Sequence, residues 1–418
     1  MRLGRAHRRI VPRPAPAAGR VTGAAGSAPR GLGSSIVMKT LIVTNDFPPR
    51  PGGIQSFVHS MALRLPADGV VVYTSSWKDR AEMAAFDAEQ PFPVVRDRTP
   101  MLVPTPGAVR RAREIARAEG CDTAWFGAAA PLGLMAPRLR AVGVERLVAT
   151  THGHEAGWAV LPGARRLLRR IGEGVDTVTY LGEYTRGRIA PALTPAAAAR
   201  MVRLPPGVDE QVFRPDVGGV EVRARHGLSD RPVVVCVSRL VPRKGQDVLI
   251  HALPRIRRRV PDAALLIVGA GPYRDRLEAM VDRVGVRDSV VFTGAVPWAE
   301  LPAHHEAGDV FAMPCRTRRK GLDVEGLGIV YLEASAVGRP VVAGDSGGAP
   351  DAVLDGETGY VVNGRSPAAV ADKVAGLLAD PAQAARMGAA GRRWVEREWR
   401  WDLLSGRLRG LLDPKSAG

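Results

Sequence analysis

The segment Leu204–Asp216, LPPGVDEQVFRPD, divides the chain into two halves of one kind. Paired prolines and a glycine punctuate it, which marks a turn and linker. Upstream, short apolar runs at Thr40–Thr44, Gly69–Thr74, Thr123–Phe126, Arg146–Thr150 and Thr177–Tyr180 read as strands. Helical patterns lie between them, as at Ile54–Leu65 and Ala108–Glu119. Downstream the alternation restarts at Pro232–Ser238, Ala264–Val268, Val290–Thr293, Val310–Met313, Pro340–Ala343 and Gly359–Val362. Two such runs predict two doubly wound α/β domains. Ligands of these sheets bind at the carboxyl ends of the strands, so two facing domains imply a cleft. The division is 38–213 and 214–398. A last helical segment, Trp399–Leu412, carries aromatic and leucine anchors and can pack on either domain.

Residues 1–37 contain seven arginines and no acid, with no periodic pattern and no apolar core of a secretory signal. They read as a disordered extension, or as sequence upstream of a true start at Met38, which runs straight into the first strand. Removing them lowers the formal charge of +17 to 17 − 7 = +10. A basic surface suits phosphorylated substrates, anionic lipid or nucleic acid. Aromatic content of 5% offers no stacking platform, which argues against nucleic acid. No apolar stretch approaches the roughly 20 residues that span a bilayer. Cys121, Cys236 and Cys315 are widely separated and odd in number, giving neither a disulfide framework nor zinc spacing. A reducing cytoplasm is the expected compartment.

Four places can carry chemistry. In Gly321–Glu333, GLDVEGLGIVYLE, a glycine-permissive turn feeds an apolar helix between Glu325 and Glu333. The unpaired N–H groups and dipole of such a helix start favour a phosphate, and a glutamate on either side can hold hydroxyls. An ordinary buried turn and helix is the alternative. Arg239 and Lys244, in SRLVPRKGQD after the strand VVVCVS, can neutralise a diphosphate leaving group, or can be two solvated loop cations. Arg243 competes for that role. In TNDFPPRPGGIQSF, Gly52 and Gly53 open a helix without the dinucleotide fingerprint or the P-loop lysine, which counts against a dehydrogenase or kinase. His152, in THGHE at a strand's carboxyl end, can orient a sugar hydroxyl or be structural. With His154 and Glu155 it lacks a third separate metal ligand. The HHE at His304–Glu306 reads as solvated helix surface. Asp323–Val324–Glu325 resembles the acidic pair that holds a metal in some single-domain nucleotide-sugar enzymes, a setting that two domains disfavour.

Together these stretches resemble the retaining glycosyltransferases of family 4, of GT-B fold. The marks are GGIQSF at Gly52, THG at Thr151, PPGVDEQVF at Pro205, SRLVPRKG at Ser238, VGAGP at Val268, and EGLGIVYLE with SGGAPDAV after it, covering residues 38–405. Within the family, TNDFPPRPGGIQSF, THGHEAGW and CRTRRKGLDVEGLG are similar to the actinobacterial mannosyltransferases of phosphatidylinositol mannosides, in particular those adding the second mannose. The resemblance implies two facing Rossmann-like domains, with 399–418 crossing back to the first. It implies GDP-mannose as donor and α-1,6 transfer to the monomannoside. Glu325 would touch the donor sugar and Glu333 the ribose. Arg239 and Lys244 would grip the diphosphate, helped by backbone N–H groups at Gly328, Ile329 and Val330. His152 would line the sugar site and Gly53 would approach the diphosphate or acceptor. Main chain from Phe292 to Val296 would read the base. The two glutamates then need not be an acid and a base, and no metal or other cofactor is required.

An anionic phospholipid acceptor would give the basic residues a purpose, at the inner face of the cell membrane. Arg110, Arg113 and Arg117 share one predicted helical face, and Arg165, Arg166, Arg169 and Arg170 form a second cluster. A solvated basic face is the competing reading. Residues 38–213 hold 22 basic and 17 acidic residues, a surplus of only +5, so any attraction is local. Two other functions fit the same residues: this chemistry with another donor and a soluble or polysaccharide acceptor, or a module that binds nucleotide-sugar or lipid without turnover.

Overall fold

A computed structural model describes residues 38–416 apart from 78, 154 and 322. The extension 1–37 and His154 therefore lie outside the described residues.

The first seven strands are β1 (Thr40–Thr44), β2 (Val70–Thr74), β3 (Val94–Arg96), β4 (Thr123–Phe126), β5 (Arg146–Thr150), β6 (Thr177–Tyr180) and β7 (Met201–Arg203). They form one sheet in the order β3-β2-β1-β4-β5-β6-β7, every pair parallel. Strands such as LIV and VVVY are buried on both faces, as a parallel sheet covered by helices on either side requires. Alternate residues feed two cores. Leu41, Val43, Tyr73 and Phe126 meet the helices Pro106–Ala118 and Pro162–Gly174. Ile42, Val72, Trp125 and Val148 meet the helix Gly53–Ala62 and, from the far end of the chain, Leu404, Leu408 and Leu412 of the helix Trp401–Leu412.

The second sheet comprises β8 (Val233–Val237), β9 (Ala264–Val268), β10 (Val290–Gly294), β11 (Val310–Met313), β12 (Val341–Gly344) and β13 (Gly359–Val362). Its order is β10-β9-β8-β11-β12-β13, again all parallel. The order reverses between β8 and β11, and at such a switch point the loops diverge and leave a crevice.

The two halves are joined twice. Val208 in the linker donates its N–H to the Trp399 carbonyl at 2.7 Å, and the two chain segments run side by side through a Val208–Arg400 bridge. Gly207 permits this crossing, since a Cβ there would stand 2.7 Å from the Trp401 ring. Trp399 belongs to the second core and Leu404 to the first, so the chain passes between domains within five residues.

The structure departs from the sequence expectations in three places. Strands β3 and β7 were not anticipated, being three-residue edge strands too short to show a period. The last helix begins at Trp401 rather than Trp399, because Pro381–Glu398 is a separate helix ending just before it. His304, His305 and Glu306 are buried, not solvated. Glu306 accepts N–H bonds from Asp216, Val217 and Gly219 and so fastens the linker's exit to the second domain.

Candidate active site

The crevice between β8 and β11 is where the sequence-predicted groups meet. After β8 the chain turns through Ser238–Arg239, forms a short 3-10 turn at Pro242–Lys244, and enters the helix Gln246–Arg259 at Gly245. Gly245 has φ +81°, and a Cβ there would lie 2.0 Å from the Pro314 carbonyl at the end of β11. Only glycine fits, and the tight approach sets Lys244 facing the loop that follows β11. Lys244 Nζ lies 2.6 Å from Glu325 Oε2. Arg243 Nη1 reaches the same oxygen at 2.7 Å, while its Nε stands 3.3 Å from Asp323 Oδ1.

Glu325 is almost fully buried. Burial pushes its carboxyl up, but the charges and hydrogen bonds of Lys244 and Arg243 outweigh that and hold it below its ordinary range. Its loop is fixed from below by Ser346–Gly347–Gly348. Glu325 N–H donates to Ser346 Oγ at 3.4 Å and Gly348 N–H donates to the Glu325 carbonyl at 2.9 Å. A Cβ on Gly347 or Gly348 would lie 2.1–2.2 Å from the Glu325 or Gly326 carbonyl oxygen. Gly328, at φ +80°, then opens the helix Ile329–Ala336, whose first N–H groups, at Ile329 and Val330, have no intrahelical partner. Tyr331 anchors this helix by donating to the Met313 carbonyl at 2.7 Å. Glu333 lies one turn on, its side chain partly open, with His305 Nε2 3.4 Å from its Oε2.

Arg239 behaves differently from its neighbours. Its side chain is exposed and forms no ion pair or hydrogen bond among the described residues. Gly269 and Gly271 pack under the Ser238–Leu240 backbone, with Cβ positions 2.1 and 2.3 Å from the Ser238 and Leu240 carbonyls. Among the described residues Arg239 is thus an unpaired cation beside two, Arg243 and Lys244, that Glu325 occupies. Val296, half-buried after β10, completes the rim of this domain.

From the first domain, His152 follows β5, nearly buried, with its Nε2 2.6 Å from the Gly127 carbonyl, so Nε2 carries the proton. Phe57 meets its ring edge-on at 5.2 Å. A Cβ on Gly326 would lie 3.6 Å from the His152 carbonyl, so this loop faces the Glu325 loop across the cleft. Tyr184 N–H also donates to Asp351 Oδ2 across it, at 3.2 Å. Gly53 opens the helix Gly53–Ala62 with nothing within 4 Å of a Cβ placed on it, which leaves its backbone approachable.

The structure thus gathers Lys244, Glu325, Gly328, Ile329, Val330 and Glu333 around one loop and helix start, with Arg239 at its edge and His152 opposite. Three contributors were not legible in the sequence: Asp323 as an Arg243 partner, Ser346 and His305. Among the described residues no group of three or more His, Cys, Asp or Glu is placed to hold a metal ion. The thiol nearest Glu325 is Cys315, which burial pushes up to about 11, so it stays protonated and is no nucleophile.

The basic clusters are placed less uniformly than predicted. Arg110 and Arg117 are exposed, Arg110 beside Glu114, but Arg113 is half-buried with its Nε enclosed and without a hydrogen bond. The three arginines of this helix are therefore unequally exposed, Arg113 less than Arg110 and Arg117. Arg165, Arg166, Arg169 and Arg170 are all exposed.

Two facing doubly wound parallel sheets with a crevice between them make a two-domain fold of GT-B type. The Anabaena protein HepE, solved in complex with UDP, shares the fold with TM-score 0.73 and 19% identity, over 89% of this chain and 98% of that one. The chain matches the family models Glycosyltransferase Family 4 over residues 51–212 and Glycosyl transferases group 1 over 221–394. It is 54% identical over 377 residues to the GDP-mannose-dependent alpha-(1-6)-phosphatidylinositol monomannoside mannosyltransferase of Mycolicibacterium smegmatis, covering 90% of this chain and 98% of that protein. The Corynebacterium glutamicum GDP-mannose-dependent monoacylated alpha-(1-6)-phosphatidylinositol monomannoside mannosyltransferase is 45% identical over 380 residues, covering 90% of this chain and 98% of that protein. The chain belongs to the family 4 glycosyltransferases.

Proposed function

We propose that the protein transfers mannose from GDP-mannose, with retention, to a phosphatidylinositol monomannoside through an α-1,6 bond. The observation that carries this reading is the 54% identity to a relative of that name, spanning 98% of its length. The site geometry supports the roles. The bond between mannose C1 and the diphosphate oxygen breaks, and the departing diphosphate gains charge. Arg239 and Lys244 neutralise it, with N–H groups at Ile329 and Val330. Lys244 must then leave Glu325 for the phosphate, and Arg243, held by Asp323, keeps Glu325 ionised and aimed at the mannose hydroxyls. The acceptor hydroxyl forms the new C1–O bond on the face the diphosphate left, and its proton passes to a diphosphate oxygen. His152 lines the sugar site, Gly53 the diphosphate or acceptor, Glu333 the ribose, and Phe292–Val296 the base. Neither a metal nor a protein nucleophile takes part.

The acceptor is an anionic lipid, so the enzyme works as a peripheral protein at the cytoplasmic face of the membrane. No helix among the described residues is long and apolar enough to cross one. The test is purified protein with GDP-mannose and extracted monomannoside in the presence of a chelator, with product mass and linkage determined, against UDP-glucose, GDP-glucose and soluble acceptors. Dimannoside formed only from GDP-mannose supports the reading. Transfer that prefers another donor or a soluble acceptor, or full activity in Glu325→Ala or Lys244→Ala, overturns it.

A further inference from the structure

His305 plays no part in the steps above. It sits on the short helix Leu301–Glu306, fully buried, its ring stacked on Phe311 at 5.3 Å and met edge-on by Phe213 at 5.9 Å. An apolar ring would fill this place without penalty, whereas an imidazole there gives up its hydration. Neither ring nitrogen makes a hydrogen bond among the described residues. The polar group it faces is Glu333, whose Oε2 is 3.4 Å from Nε2, just beyond a hydrogen bond. Glu333 itself, on the cleft side, has no other polar side-chain partner among the described residues.

We propose that His305 is a positioning residue for donor binding: its Nε2–H holds one oxygen of Glu333 and so presents the other to the ribose hydroxyls. The inference rests on Glu333 being the ribose contact. A carboxylate carried on two methylenes swings freely unless something ties it, and two ribose hydroxyls need acceptors in a fixed plane. Contacts of this kind are often long in a free site and tighten when ligand arrives. His305 is the side chain behind Glu333 that can supply the tie.

The test compares GDP-mannose with its analogue lacking both ribose hydroxyls, using the full chain as wild type, His305→Phe, His305→Gln and Glu333→Ala. Wild type should lose about tenfold in donor KM without the hydroxyls. His305→Phe should raise KM for GDP-mannose with kcat within about twofold and reduce the hydroxyl penalty below about threefold. His305→Gln, which keeps an N–H donor, should retain most of the penalty. If His305→Phe discriminates as wild type does while Glu333→Ala does not, His305 only packs and the proposal falls, leaving Glu333 in place. If wild type and Glu333→Ala both ignore the hydroxyls, the ribose role of Glu333 fails and takes the proposal with it. Thermal unfolding checks that each variant is folded. Should His305→Phe not fold, His305→Gln against His305→Met makes the same comparison.

Discussion

At Glu325 a single carboxylate oxygen receives both Lys244 and Arg243, and this pairing gives stability a pH dependence. Its folded value lies below the ordinary 4.5, so its contribution is complete above that pH and is lost as pH falls through the folded value. Glu325→Gln should therefore cost about 1–3 kcal/mol near neutrality, and the gap in unfolding midpoint from wild type should narrow below pH 4.5. A gap constant from neutrality to the acid limit of folding would show that the pairs add nothing. The neighbouring cations separate by the same logic. Arg239 has no side-chain hydrogen bond or ion pair among the described residues, so Arg239→Gln should weaken GDP binding by roughly tenfold with little change in stability. Arg243→Gln should instead lower the unfolding midpoint and kcat, because it leaves Glu325 dependent on Lys244, which the diphosphate also needs. Calorimetric titration with GDP and thermal melts distinguish the two; equal effects would remove the distinction. Arg239, Lys244 and Glu325 were legible because a strand end, a glycine turn and a helix start fix where they fall. Asp323 and Ser346 were not, since their contacts depend on how two distant loops stack. His305 was hidden by its charge-capable neighbours, which made a buried face look solvated.

The loops of the second domain hold their shape through glycines whose missing side chains let backbones touch. Gly245 shows the demand most sharply, with φ +81° and the Pro314 carbonyl where a Cβ would be. Gly245→Ala should destabilise by about 1–3 kcal/mol and, by lifting Lys244 from the β11 loop, remove most transfer activity. Gly376, inside the helix Pro367–Ala379, has open space within 4 Å of where an alanine methyl would sit and no unusual φ. Gly376→Ala should stabilise by roughly 0.5–1 kcal/mol and leave activity unchanged. Melts and initial rates on the pair check both signs, and a neutral Gly245→Ala would deny the close approach. The alternation of elements was readable because strands buried on both faces are continuous apolar runs. The edge strands β3 and β7 escaped because three residues with one open edge leave no pattern.

On the whole molecule, the first domain gathers its exposed apolar side chains at one end. The helices Pro106–Ala118 and Pro162–Gly174 pack on the same face of the sheet and both start at its carboxyl edge. Just before them stand Met101 at 62% exposed, Val103 at 45%, Val160 at 70% and Leu161 at 62%. Arg165, Arg166, Arg169 and Arg170 continue from Leu161 along the second helix, and Arg110 lies one turn into the first. Apolar side chains rimmed by cations at the cleft edge suit a bilayer with anionic headgroups, which would bring the acceptor's sugar to the crevice while its acyl chains stay in lipid. Burying a side chain such as Val or Leu contributes about 1.5–3 kcal/mol. Each nearby cation adds about 1 kcal/mol at low salt. Vesicles of phosphatidylcholine with phosphatidylinositol should bind the wild type and release it as salt rises. Val160→Asp with Leu161→Asp should reduce binding more than tenfold. Donor hydrolysis in the absence of acceptor should not change, since both side chains are exposed and neither belongs to the donor-binding set. Replacing Arg165, Arg166, Arg169 and Arg170 by glutamine should flatten the salt dependence rather than abolish the residual apolar binding. If both sets of variants float with vesicles as the wild type does, this face is not the membrane contact.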